Sequence, residues 1–218
     1  MKLLNTAAVA TMLLFGSGCD LMTKPESKDN GETKEVEIGY IPIVDHVLVG
    51  VSDARDEFEG FDLEPLRFTN YPTMSEAVRS GDLDGAFFLA PLAFQMKASG
   101  VPIQIVLLGH RDGSGLVVDK EQNLKVINDL QDKTVAIPHR FSTNNFLMHY
   151  HAKLHGLSGD TPIDTVEAGP PEMFSALSAK NIDGYITAEP FLSEAEFSGV
   201  GEVMIFTCLL YTSPSPRD

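Results

Sequence analysis

Two stretches of this chain repeat each other at a fixed spacing. Met74-Ser75-Glu76-Ala77-Val78 followed by Leu83-Asp84-Gly85-Ala86-Phe87 returns as Met173-Phe174-Ser175-Ala176-Leu177 followed by Ile182-Asp183-Gly184-Tyr185-Ile186, with Asp84 and Asp183 99 residues apart. The same shift pairs Val36 with Val135, Ile38 with Ile137, Leu48 with Leu147 and Pro72 with Pro171. A repeat of this length predicts one supersecondary unit built twice.

Each copy alternates short β-branched runs with helical periodicity. The first reads as strand 36–42, helix 47–58, strand 63–68, helix 73–80, strand 83–89, helix 91–99 and a buried strand 103–108. The second reads as strand 134–137, helix 142–155, strand 164–167, helix 171–180 and strand 183–187. Such alternation predicts an α/β fold of two lobes, each a mainly parallel sheet flanked by helices. Lobe one is expected over residues 36–114 and lobe two over 115–206. The chain should cross between them at Gly113-Ser114-Gly115 and the apolar run Leu116-Val117-Val118. A hydrophobic content of 43% supplies enough core for both.

Ligands of open α/β sheets sit beyond the carboxyl ends of the strands. The repeat therefore brings equivalent loops to one cleft: 40–46 with 139–145, 71–73 with 170–172, and 89–91 with 188–190. The stretch Ile137-Pro138-His139-Arg140-Phe141-Ser142-Thr143-Asn144 carries the strongest signal. Ser142 or Thr143 can cap a helix whose free N–H groups favour an anion. Arg140 beside it can donate two hydrogen bonds to a planar oxyanion. Candidate ligand contacts are Asp45, His46, Tyr71, Thr73, Ala90, His110, Arg111, Ser114, His139, Arg140, Ser142, Thr143, Asn144 and Glu189. Tyr71 would wall the cleft. His46 and His139 would donate hydrogen bonds, and Glu189 would accept one from a substrate amine or hold a metal. Asp45-His46, His110-Arg111 and His139 could also converge with Glu189 as an N/O set for a divalent metal, but no short ligand motif requires one. The i,i+4 pair His151 and His155 lacks the adjacent Glu of a zinc protease and reads as surface.

A formal net charge of −15 excludes nucleic acid as a partner. No phosphate loop, nucleophile elbow or zinc-finger spacing is present. The first residues are those of an exported protein. Met1-Lys2 precedes a mostly apolar run from Leu3 to Phe15, too short to span a bilayer. Gly16-Ser17-Gly18-Cys19 resembles a bacterial lipobox, which implies a signal peptide over 1–19, lipid attachment at Cys19 and a flexible tether over 20–35. Residues 207–218 break the style of the rest. They resemble a translated sequencing-adaptor scar and are set aside from the fold.

The motifs IGYIPIVDH (Ile38–His46), LAPLAF (Leu89–Phe94), VAIPHRFSTNNFLMHY (Val135–Tyr150) and Pro170-Pro171-Glu172-Met173 leading to Glu189-Pro190 together resemble the solute-binding proteins of bacterial ABC importers. The branch is that serving nitrate, bicarbonate, sulfonate and taurine uptake, related to thiamine-precursor binders. The resemblance covers residues 36–206. It implies a type II periplasmic-binding-protein fold closing on a small, anionic solute, with no catalysis. The implied partners are that solute and an inner-membrane ABC permease, in a lipid-anchored, periplasmic monomer. No cofactor is implied beyond a divalent metal. Alternatives on the same fold are a metal-dependent or thiamine-pyrimidine-precursor binder and an enzyme similar to those of the menaquinone pathway. Where nitrate and bicarbonate members carry Trp, the chain has Tyr71; where they carry His, it has Asn144. Members also continue further, to a segment that returns to lobe one, so the chain resembles a C-terminally truncated form.

Overall fold

The computed structural model describes residues 33–110, 113–159 and 162–211. Cys19, Arg111, the signal-peptide stretch and most of the tether therefore lie outside the described residues. No helix among the described residues is long and apolar enough to cross a membrane.

The first half forms β1 (Lys34–Tyr40), α1 (Val47–Arg55), β2 (Phe61–Arg67), α2 (Tyr71–Ser80), the two-residue β3 (Gly85–Ala86) and α3 (Ala90–Ala98). Its sheet has the order β2-β1-β3, all parallel. The second half contributes β4 (Ser114–Asp119), β5 (Thr134–Ile137), α4 (Thr143–Leu154), β6 (Asp164–Glu167), α5 (Pro170–Ser178), β7 (Gly184–Ala188), α6 (Phe191–Ser198), β8 (Gly201–Phe206) and α7 (Thr207–Tyr211). Its sheet has the order β6-β5-β7-β4-β8. β5 runs parallel to β6 and β7, while β4 lies antiparallel between β7 and β8.

The repeat is visible bond by bond. The Phe68 N–H closes onto the Tyr40 carbonyl and the Ala168 N–H onto that of Ile137. Asp82 to Ala77 is matched by Asn181 to Ala176, and Val101 to Met96 by Val200 to Ala195. The single ungapped shift expected from sequence is corrected at the first strand. Ile38 pairs with Gly85 as Val135 pairs with Gly184, so β1 and β5 align at 97 residues. The Val36/Val135 and Ile38/Ile137 matches are out of register by two. A two-residue slip keeps every side chain on its own face of the sheet, which is why the apolar pattern still agreed.

Local signals explain the helix ends. The Asn70 side chain caps α2 by accepting from the Thr73 N–H, Pro72 fills its first turn, and Gly81 closes it at φ +84°. Ser142 caps α4 by accepting from the Asn145 N–H at 3.0 Å.

Three boundaries differ from the sequence reading. β1 begins at Lys34, inside the expected tether, and Ser114 pairs with Ala188 in the second sheet. Thr207–Tyr211, set aside as tail, is helical; Leu210 is buried, and the Thr207 hydroxyl donates to the Ser114 carbonyl at 3.0 Å. The expected buried strand 103–108 does not form. Val106, Leu107 and Leu108 are 90%, 68% and 79% exposed. Their counterpart in the repeat, β8, is held by β4; among the described residues nothing plays the part of β4 in the first sheet, and a strand without a ladder partner has no reason to persist.

One apolar cluster joins the halves. Ile41, Tyr71, Met74, Leu92 and Met96 from the first pack with Val117, Met173, Leu177, Tyr185 and Phe191 from the second. A second cluster, including Leu116, Val118, Leu130, Val135 and Met148, covers the far face of the larger sheet.

Candidate functional site

The loops at the strand ends meet as the repeat requires. The Val44 N–H, in the β1–α1 loop, donates to the Glu189 carbonyl in the β7–α6 loop at 2.8 Å. Gly169, at the start of α5, approaches the β2–α2 loop so closely that a Cβ there would lie 2.2 Å from the Thr69 carbonyl oxygen. Beside these contacts the halves line an open cavity of about 470 Å³. Its walls are α2 (Thr73, Ser75, Glu76, Arg79), α3 (Leu92, Gln95) and the β5–α4 loop (His139, Arg140, Phe141). The volume falls in the range of small-molecule pockets.

Of the expected contacts, Thr73, His139 and Arg140 line this cavity. Thr73 also bonds Asn70 through both its N–H and its hydroxyl. Arg140 is exposed and already paired: its Nε and its backbone N–H each donate to Glu167 Oε1 at 2.9 Å. No further hydrogen bond to its terminal guanidinium nitrogens occurs among the described residues, so those remain able to meet a ligand. Burial works to raise the Glu167 carboxyl; the hydrogen bonds from Arg140, together with the charges of His139 and Arg140, outweigh it and hold the group below its ordinary range. His139 is pushed below the usual imidazole value by burial, with Glu167 opposing and Arg140 assisting. The ring stacks on Phe141, and its Nδ1 accepts the Phe141 N–H at 3.0 Å.

A second group of expected contacts sits apart from those walls. His46 is 5% exposed, edge-on to Tyr71 and tilted against Phe87. Its Nδ1 accepts the Ile41 N–H at 3.0 Å. Burial lowers its pKa to about 4, against the backbone bond and with a small push from His110. Tyr71 is fully enclosed, and burial followed by the Asp45 charge raises its phenol. Asp45 Oδ2 pairs with His110 Nε2 at 3.2 Å.

Other expectations give way to structural roles. The Ser142 hydroxyl is buried and spent on the α4 cap. Glu189 turns onto its own helix, accepting from the Ser193 N–H and hydroxyl at 3.0 and 2.9 Å. Ser114 is buried in β4, and Ala90 opens α3 outside the cavity wall. Thr143 and Asn144 form the first turn of α4, beside but not in that wall. Among the described residues no group of three or more His, Cys, Asp or Glu is placed to hold a metal ion. Ser75, Glu76, Arg79, Leu92 and Gln95 went unforeseen because they lie on helix faces, away from the strand-end loops. The spacing of Ser75, Arg79 on α2 at i,i+4 is the one signal that marked a shared face.

Residues 29–214 match the model of a family described as NMT1-like. The ATP-binding nitrate import protein NrtC of Synechocystis sp. is 28% identical over 196 residues, covering 80% of this chain and 29% of that protein. The ligand-binding component of an ABC-type import system from Staphylococcus aureus, solved with zinc bound, superposes with a TM-score of 0.71 at 30% identity, covering 80% of this chain and 61% of that one. The periplasmic nitrate-binding protein NrtA of Synechocystis superposes with a TM-score of 0.70 at 18% identity, covering 81% of this chain and 52% of that one. The chain thus spans less than two thirds of each of these proteins.

Proposed function

Because the chain belongs to the NMT1-like family, we propose that it is the solute-binding part of an ABC-type importer and not an enzyme. The observation that carries this is the cavity between the repeated halves, walled by Thr73, Gln95, His139 and Arg140. A small anion suits it: Arg140 and Arg79 offer guanidinium donors, each shared with one carboxylate (Glu167 at 2.9 Å and Glu76 at 3.7 Å), and hydroxyl, amide and imidazole groups surround them. The halves 34–113 and 114–206 act as lobes, opening to admit the solute and closing through the Val44–Glu189 and Thr69–Gly169 contacts. A permease takes the solute on release. Export and lipid attachment at Cys19 hold the protein outside the cytoplasm as a monomer. A palmitate-labelled protein that Cys19→Ala renders unlabelled is the expected result for that anchor.

The test of the anion reading is a thermal-shift screen of the full chain against sodium nitrate, bicarbonate, methanesulfonate and zinc chloride. A ligand of the folded state stabilises it by mass action. Stabilisation by one of the three anions, abolished by Arg140→Ala, is expected; a shift indifferent to that substitution removes Arg140 from the site.

A zinc-dependent reading draws support from the Staphylococcus aureus neighbour solved with zinc bound. It predicts that a chelator abolishes solute-induced stabilisation, whereas the anion reading predicts no change.

A further inference from the structure

The two halves hold a histidine each in the loop after their first strand, and both rings are fixed in the same way. In β1–α1 the Ile41 N–H donates to His46 Nδ1, and in β5–α4 the Phe141 N–H donates to His139 Nδ1, each at 3.0 Å. A backbone N–H cannot change its role; the nitrogen it faces must offer a lone pair. We infer that the His139 ring, locked with its single proton on Nε2, is a specificity-determining donor that selects an oxyanion over a histidine-bound divalent metal in the inter-lobe cavity.

Several contacts keep the ring in this state. Stacking on Phe141 at 5.7 Å and 29° limits its rotation. Metal coordination through Nε2 requires the proton to move to Nδ1 or leave the ring. On Nδ1 it would confront the Phe141 N–H, turning an acceptor into a second donor and leaving a partly buried amide unpaired. The adjacent Arg140 guanidinium, held by Glu167 through Nε, offers its terminal N–H groups as donors, which suit an anion and cannot ligate a cation. His46 repeats the lock, clamped between Tyr71 and Phe87, so neither half offers a metal-ready imidazole from this loop. Burial, which pushes both rings below the ordinary imidazole value, leaves each with a single proton, so the tautomer alone decides whether Nε2 donates or ligates.

This inference rests on the anion reading of the cavity but is separable from it by experiment. Long-range ¹H–¹⁵N spectra of the full chain report which ring nitrogen carries the proton. The expected result is Nε2–H for His139 and His46, with the His139 signals unmoved by zinc chloride. For whichever of nitrate, bicarbonate and methanesulfonate stabilises the protein, His139→Ala should weaken binding at least tenfold. His139→Gln, which restores an N–H near the Nε2 position, should recover most of it. A proton on Nδ1, or zinc broadening that shifts the His139 Nε2 signal, overturns the inference. So does an anion affinity that His139→Ala leaves unchanged. If none of the three anions binds while the Nε2–H lock and zinc indifference hold, the anion reading fails and the exclusion of a His139-bound metal stands.

Discussion

The Val44 N–H and the Glu189 carbonyl, 145 residues apart in the chain, meet at 2.8 Å and tie the β1–α1 loop of one half to the β7–α6 loop of the other. The apolar cluster continues beneath them from Ile41 and Tyr71 to Tyr185 and Ala188. The halves are therefore in contact at their strand ends, and the cavity lies to one side of that contact.

Gly169 should be intolerant of a side chain for reasons of space alone. Its φ is −67°, which any residue adopts, yet a Cβ would stand 2.2 Å from the Thr69 carbonyl oxygen. Gly169→Ala is expected to destabilise the contact of the halves by about 1–3 kcal/mol. Gly50→Ala is the control: it sits in α1 with open space around it and should stabilise by about 0.5–1 kcal/mol. Urea denaturation of both variants checks the pair.

Stability should be lost through His46 as the pH drops below 6.5. Its pKa is about 4 in the folded chain against 6.5 in the ordinary state. Above 6.5 the ring is neutral in both states and the fold keeps its full stability. Below it the unfolded chain gains a proton that the folded chain refuses, costing about 1.4 kcal/mol per pH unit down to the folded value and about 3 kcal/mol in all. His46→Asn keeps an acceptor for the Ile41 N–H and removes the titration. The stability of the original chain minus that of the variant should therefore rise by about 3 kcal/mol from pH 4 to pH 6.5 and stay constant above it.

Glu167 competes with a ligand for Arg140. Glu167→Gln retains an oxygen for the Arg140 N–H and removes the charge paired with the guanidinium at 2.9 Å. Anion binding should tighten by up to about tenfold, equal to about 1.4 kcal/mol. Weaker binding measured by calorimetry would mean that Glu167 positions the guanidinium rather than restraining it.

The exposed run Val106-Leu107-Leu108 should drive self-association. Leu107→Lys is expected to lower light scattering at high protein concentration. Its unfolding free energy should stay within about 0.5 kcal/mol of the original, because the side chain it replaces is surface.

That one α/β unit is built twice was legible in the order of residues alone. Strand faces repeat every second residue, so the pattern survived even the two-residue misalignment of β1 with β5. The α4 start was legible there too, since a serine hydroxyl beside a free N–H acts within one turn. The tertiary structure alone decided three things. The strand expected at 103–108 depended on a neighbour to bond with, which its own residues cannot supply. Arg140 found Glu167 27 residues away, which offsets the charge its loop offers. The cavity wall drew on Ser75, Glu76, Arg79 and Gln95, because the contact of the two halves turns faces of α2 and α3, and not only loop tips, toward the space between them. Local chemistry is written in adjacent residues; which groups face one another across a gap is set by how the whole chain packs.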